Sequence, residues 1–231
     1  MTNIVTPQVH LLAHTKIDEK AISEWMSIQD ASTDAETLLT MAGRNCYRSF
    51  HRPNEATYDD ADYLRRTLFD RGHFSIAEHA TATLYFTGVS RAFLTELTRH
   101  RHLSFSVESQ RFINANDANV VMPPAMRYLD EESKENFLWR VDESITDYKD
   151  AQTVLNYLPK KQRNEAARAL LPNAVETRMV VTGNLRTWHE VIQRRTQPDA
   201  DAEIQEVMRL AREALHTVSP IIFPTEKDNN E

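Results

Sequence analysis

Apolar positions along the chain switch between a period of two and a period near 3.6, and the switches mark out its elements. Residues 9–13 form a short apolar run that predicts a strand, followed by polar sequence as far as Thr33. From Asp34, placed as an N-cap, Leu38, Leu39, Ala42 and Cys46 recur at helical spacing, so Cys46 is expected to fill core on an apolar face. Residues 57–71 predict a second helix with Ala61, Leu64 and Leu68 on one side, ended by Gly72 in a left-handed conformation. Residues 81–87 alternate, with Ala82, Leu84 and Phe86 on one face, and predict a strand broken by Gly88. Ser90 is then a candidate N-cap for a helix that turns Phe93, Leu94 and Leu97 inward.

The second half repeats the vocabulary. Residues 120–124 close a loop, and residues 131–158 are long, charged and periodic, as expected of a surface helix. Pro159 interrupts, a helix resumes over 160–171, and Pro172 stops it. Residues 175–182 predict a strand with Val175, Thr177, Met179 and Val181 on one face. Thr187 with Glu190 three residues on reads as a capping box, so a helix is expected to begin there and carry Trp188, Val191, Ile192 and Arg195 on one face. Asp199 or Asp201 starts the last helix, through Ile204, Val207, Met208, Ala211, Leu215 and Val218. No repeat, linker or low-complexity tract divides the chain, so one α+β domain over residues 1–224 is expected. Residues 225–231, with no apolar side chain, are expected to fray.

Composition narrows the chemistry. The 231 residues carry a formal net charge of −7, and an acidic body repels a polyanion, which argues against a nucleic-acid track. One cysteine cannot form an intrachain disulfide, the first residues lack the order of a signal peptide, and no apolar run approaches the roughly 20 residues that span a bilayer. A cytoplasmic, membrane-free protein is the expectation.

Against that acidic background, residues 99–111 concentrate Arg99, Arg101 and Arg111 with His100 and His102, and no acid appears before Glu108. Guanidinium forks match phosphate or carboxylate oxygens, and the interleaved serines add neutral donors, so this run predicts an anion pocket for a phosphorylated small ligand. Glu96 lies three residues before Arg99 and four before His100, close enough to share a helical face. Arg186 and Arg195 follow the second strand in the same way, and Arg168 precedes it. If the two strands are neighbours, both arginine sets are expected to line a cleft at one end of the sheet. The histidines His73, His79, His100 and His102 match no zinc spacing and sit beside arginines that repel a cation, so no metal site is assigned. Ser104, Ser106 and Ser109 lack a Gly-x-Ser-x-Gly elbow, and with four glycines in the chain the phosphate-loop and dinucleotide fingerprints are absent.

The run Arg99-His100-Arg101, two residues, Ser104, four residues, Ser109, one residue, Arg111 resembles the signature of the flavin-dependent thymidylate synthases at every fixed place. Gly72-His73-Phe74-Ser75 with Glu78-His79, Leu171-Pro172-Asn173 before Glu176-Thr177-Arg178, and Thr182-Gly183-Asn184 with Arg186 resemble further landmarks in the expected order, closest to the actinobacterial branch. The resemblance implies a mixed α/β fold, with a largely antiparallel central sheet flanked by helices, and a homotetramer with shared active sites. It also implies reductive methylation of dUMP to dTMP by a methyltransferase that uses FAD as cofactor, methylenetetrahydrofolate as carbon donor and NADPH as reductant, without a cysteine nucleophile.

Carried over by position, Ser75, Arg99, His100, Arg101, Val107, Asn184, Arg186 and Glu190 fall at FAD, with His73 near the flavin. Glu96, Leu97, Thr98, Arg99, Val107, Glu108, Ser109, Gln110, Arg111, Arg168 and Arg195 fall at dUMP, and Arg195 becomes the residue that activates the uracil. The chain departs from its relatives at Val107, which leaves only backbone contact there. It departs again at Glu190, where they place Asn or His and where capping would account for the carboxylate. Arg194 beside Arg195 makes the activator a question of register. A catalytically impaired dUMP- and flavin-binding regulator is the alternative these departures suggest.

Overall fold

The computed structural model describes residues 3–225. The expected fraying tail, Thr225 apart, therefore lies outside the described residues. In chain order the elements are β1 (Ile4–Val5), β2 (Gln8–His14), α1 (Glu19–Ser23), α2 (Asp34–Tyr47), α3 (Asp60–Arg65), β3 (Thr81–Ser90), α4 (Arg91–Leu97), β4 (Ser104–Val107), β5 (Val120–Val121), α5 (Glu131–Val154), α6 (Lys160–Ala167), β6 (Glu176–Asn184), α7 (Leu185–Arg195) and α8 (Ala202–His216). Four strands form an antiparallel sheet in the order β2-β3-β6-β4, and β1 pairs with β5 in a separate parallel ribbon. The main core joins the inner sheet face, with Leu84, Phe86, Met179 and Val181, to Trp188, Val191 and Ile192 of α7 and to Ile204, Val207, Met208, Ala211 and Leu215 of α8.

Strand alternation and the α8 stripe follow the periodicity. β3, however, does not stop at Gly88: it continues to Ser90 through a bulge between Phe86 and Val89. Gly88 has φ 64°, and a Cβ there would lie 2.0 Å from the carbonyl oxygen of Thr6, so only glycine admits the close approach. Ser90 then caps α4 through a hydrogen bond from the Phe93 N–H, as its position predicts.

Several expected boundaries are corrected. The N-cap of α2 is Thr33, not Asp34: Thr33 Oγ1 accepts from the Glu36 N–H while the Glu36 carboxylate accepts from the Thr33 N–H. Cys46 is exposed, because the buried positions of α2 run from Ala35 to Arg44 and its last turn runs beyond the core. The single helix expected over 57–71 is three pieces, a 3-10 turn at Glu55–Thr57, α3 capped by Asp59, and a π turn at Arg66–Asp70 that ends at Gly72 with φ 70°. Helix α6 gives way to a 3-10 turn at Arg168–Leu170. Helix α7 starts at Leu185, two residues before the expected box, because the Asn184 side chain accepts from the Thr187 N–H. Glu190 caps nothing and pairs with Arg186 instead.

Candidate functional site

The strands β3 and β6 are neighbours, but they are antiparallel, with Thr81 opposite Asn184 and Ser90 opposite Glu176. Their following helices, α4 and α7, therefore begin at opposite ends of the pair, but the chain returns after α4. Ser104 lies opposite Thr182, so Arg99 and Arg101 come back to the end at which α7 begins with Arg186, whereas Arg111, beyond Val107 opposite Met179, lies toward the other end. The far ends of the two helices meet.

At that meeting Arg195 is locked. Its Nη1 donates to Glu96 Oε2 at 3.0 Å, its Nη2 to the Glu96 carbonyl at 3.1 Å, and its Nε to His100 Nε2 at 2.8 Å. Trp188, Val191 and Ile192 form the buried stripe of α7, and Arg195 continues that stripe with a side chain only 13% exposed. Arg194 falls off the stripe and is exposed. Helical periodicity thus settles which arginine enters the cluster. A guanidinium has five N–H groups; three are spent holding it in place and two, one on each terminal nitrogen, remain for a ligand.

His100 must accept from Arg195 Nε, so its Nε2 carries the lone pair and the proton sits on Nδ1. Burial and the charges of Arg195, Arg194 and Arg99 hold its pKa below the ordinary histidine value, and Glu96 only partly offsets them. A pKa lowered by folding means that the unfolded chain binds the extra proton first, so this contribution is complete above about 6.5 and is lost as pH falls through the folded value. Protonated His100 can no longer accept from Arg195. The expected result is an acid limb in the pH–rate profile, lying below about 6.5, that is absent in His100→Gln; an identical limb in that variant would contradict the coupling.

The signature run does not continue the helix. Residues 98–103 turn, and Ser104–Val107 form a strand with Ser104 opposite Thr182 and Val107 opposite Met179. Its alternation puts Phe105 and Val107 against the core and leaves Ser104 and Ser106 exposed. Val107 is therefore a packing residue with only its backbone on offer. Leu97 is fully buried, and Thr98 Oγ1 donates to the Leu94 carbonyl. Arg99 pairs weakly with Glu96, at 3.4 Å, and Arg101 is exposed. Glu108 joins β6 through its N–H to the Arg178 carbonyl, the Ser109 carbonyl turns the chain at Phe112 and Ile113, and the Arg111 carbonyl accepts from Asn164. Glu108 and Gln110 line a cavity with Arg91 and Arg178, and exposed Arg168 is near enough to join burial in lowering the Arg91 pKa.

A second cluster marks the start of α7. Arg186 donates to Glu190 Oε1 at 2.8 Å and to Glu78 Oε1 at 2.6 Å. Glu78 belongs to the 3-10 turn Phe74–Glu78 that also presents exposed Ser75, just after exposed His73. Glu78 was visible in the sequence as a landmark without a role; its partner is 108 residues away, so no local pattern could supply one.

The family model described as thymidylate synthase complementing protein matches residues 27–221. The chain belongs to that family. It is 47% identical to the probable flavin-dependent thymidylate synthase of Mycobacterium phage L5, covering 84% of this chain and 81% of that protein. Identity to the flavin-dependent thymidylate synthase of Corynebacterium diphtheriae is 39%, over 93% of this chain and 88% of that one. Among solved structures, thymidylate synthase X from Helicobacter pylori, crystallised with FAD and dUMP, superposes with a TM-score of 0.66 at 19% identity, covering 95% and 98% of the two chains. That likeness confirms the expected mixed α/β fold with its antiparallel sheet. Membership also gives the signature run its context: in this thymidylate synthase complementing family member, the run leaves α4, joins Arg195, and enters the sheet as β4.

Proposed function

We propose that the protein methylates dUMP reductively to dTMP, with methylenetetrahydrofolate as carbon donor, NADPH as reductant and FAD as cofactor. The observation that carries this reading is the Arg195 guanidinium held on three sides by Glu96 and His100 beside the signature run. Its two remaining N–H groups suit a uracil edge, where a fixed cation stabilises the negative charge that develops on ring nitrogen 3 as carbon 5 becomes nucleophilic. This activation needs no thiol, and the single cysteine, Cys46, stands at the exposed end of α2. Ser109, Arg111 and Arg168 would hold the nucleotide phosphate, with Glu96, Thr98, Arg99, Glu108 and Gln110 around the rest and Leu97 and Val107 contributing backbone groups only.

The donor set also fits a flavin dinucleotide. Arg99, Arg101 and Arg186 supply fixed charge for its phosphates, while Ser75 offers a hydroxyl and Asn184, whose Oδ1 is committed to the helix cap, offers its amide N–H. His73 lies just before Ser75, and His100 ties this set to Arg195. Glu190, with Glu78, orients Arg186 as a positioning residue, which gives the carboxylate a role other than capping. Bound FAD would supply the hydride. The reading covers one catalytic domain over residues 1–224 in a cytoplasmic homotetramer with shared active sites. Purified protein should be yellow, with a flavin absorption band that shifts on adding dUMP; colourless protein that takes up no added FAD would contradict it. The impaired-regulator alternative loses its motive, because Val107 packs and Glu190 pairs.

A further inference from the structure

Three arginines outside the residues assigned above, with His73 beside them, line a cavity of 180 Å³ between α2, the loop over residues 48–57 and residues 60–73. Arg44, Arg66, Arg71 and His73 line it together with Tyr47 and Tyr63, and none of its lining residues is acidic. Arg44 is 1% exposed, with Nη1 donating to the Ser49 carbonyl, Nη2 to the Thr57 carbonyl, and its guanidinium carbon 4.3 Å from the centre of the Tyr63 ring. Its Nε is buried with no hydrogen-bond partner, and no carboxylate lies in ion-pair range of Arg44, Arg66 or Arg71 among the described residues. Burial and the neighbouring Arg52 charge push the Arg44 pKa down, as expected of an under-compensated cation.

The backbone is special at the same place. Arg71 N–H reaches the Arg66 carbonyl, five residues back, at 3.1 Å, and His73 N–H reaches the Thr67 carbonyl at 3.0 Å. The wider π turn at Arg66–Asp70 carries both Arg66 and Arg71 to one wall, and such turns concentrate at functional sites.

Three arginines and an imidazole around a small space favour a compact dianion over a single carboxylate. Whole-ligand pockets run to about 300–1,000 Å³, so this one suits the end of a ligand. Tyr47, 65% exposed at the rim, offers a face for an attached aromatic ring. We propose that this cavity binds the phosphate monoester at the adenosine end of the dinucleotide reductant, the 2′-phosphate that distinguishes NADPH from NADH. The choice of reductant rests on the function proposed above; the anion site itself does not.

The test uses Arg66→Ala and Arg71→Ala, singly and together, since Arg44 also props the wall. Calorimetry with adenosine 2′,5′-bisphosphate and with 5′-AMP reads binding without turnover. The double variant should lose at least about tenfold in affinity for the bisphosphate and little for 5′-AMP, and its KM for NADPH should rise about tenfold while those for NADH, dUMP and folate stay within about twofold. Unchanged bisphosphate affinity would overturn the proposal. So would a raised KM for polyglutamylated folate with bisphosphate binding intact, which would give the cavity to folate carboxylates. Arginine-dependent bisphosphate binding by a protein that makes no dTMP would leave the site standing and defeat the function.

Discussion

Arg195→Ala should lower turnover of dUMP by about 10²–10³-fold, the loss that follows removal of one preorganised charge-stabilising donor. The side chain forms three hydrogen bonds, to two groups of Glu96 and to His100, and it completes the buried stripe of α7 without forming its core. The variant should therefore keep its fold and most of its flavin, and the loss should fall on kcat more than on KM for dUMP. Arg195→Lys should not rescue it, because an ammonium is a compact point charge and cannot span Glu96 Oε2, the Glu96 carbonyl and His100 Nε2 together. Arg194→Ala is the control, since Arg194 is exposed and acts on His100 only through its charge, and its turnover should stay within about twofold. Steady-state kinetics on the three variants, with thermal melts alongside, checks the set. Wild-type turnover in Arg195→Ala would remove the residue from the chemistry.

Asp60→Ala should cost about 3–5 kcal/mol of stability, because it strands a buried arginine. Asp60 and Arg52 form an ion pair with side chains 0% and 2% exposed. Arg52 also donates to the Tyr58 carbonyl at 2.8 Å and to the Ser27 carbonyl at 2.9 Å, while Asp60 accepts from Ser32 at 3.1 Å. The pair thus ties the loop before α3 to the segment after α1. A globular domain is stable by only about 5–15 kcal/mol, so the loss is a large fraction of the total. At about 2–4 °C per kcal/mol for a chain of this size, the melting temperature should fall by roughly 6–20 °C. Asp60→Asn keeps the shape and one acceptor but not the charge, and should fall between the two. A loss under about 1 kcal/mol in Asp60→Ala would mean that water reaches Arg52 and the pair is not buried in solution.

Much of this architecture is legible in the chain. Alternation finds β3 and β6, and the stripe through Ile204, Val207, Met208, Ala211 and Leu215 finds α8, because these elements bury one face against one core. The errors cluster where a local signal has a competitor. Thr187 and Glu190 have the spacing of a capping box, but Asn184 caps first and Arg186 claims Glu190. Cys46 has the right period for core, yet the helix outruns the core before reaching it. The four residues of β4 are too short and too serine-rich to stand out, and only the neighbouring β6 makes them a strand.

The site divides in the same way. The signature residues and the choice of Arg195 over Arg194 are readable, the first from a resemblance and the second from helical period. The hold on Arg195 is not, since Glu96 lies 99 residues away and only the antiparallel order of β3 and β6 brings their helices together. Nor is the cavity around Arg44, whose wall depends on a π turn that leaves no mark in the residue pattern.

One assay decides whether the proposed reaction occurs. Purified protein given 5-tritiated dUMP, methylenetetrahydrofolate, NADPH and FAD should release tritium to water and form dTMP, with both signals lost when FAD is removed. Tritium release and dTMP formation that persist at full rate without flavin, or no dTMP in the complete mixture, would contradict it.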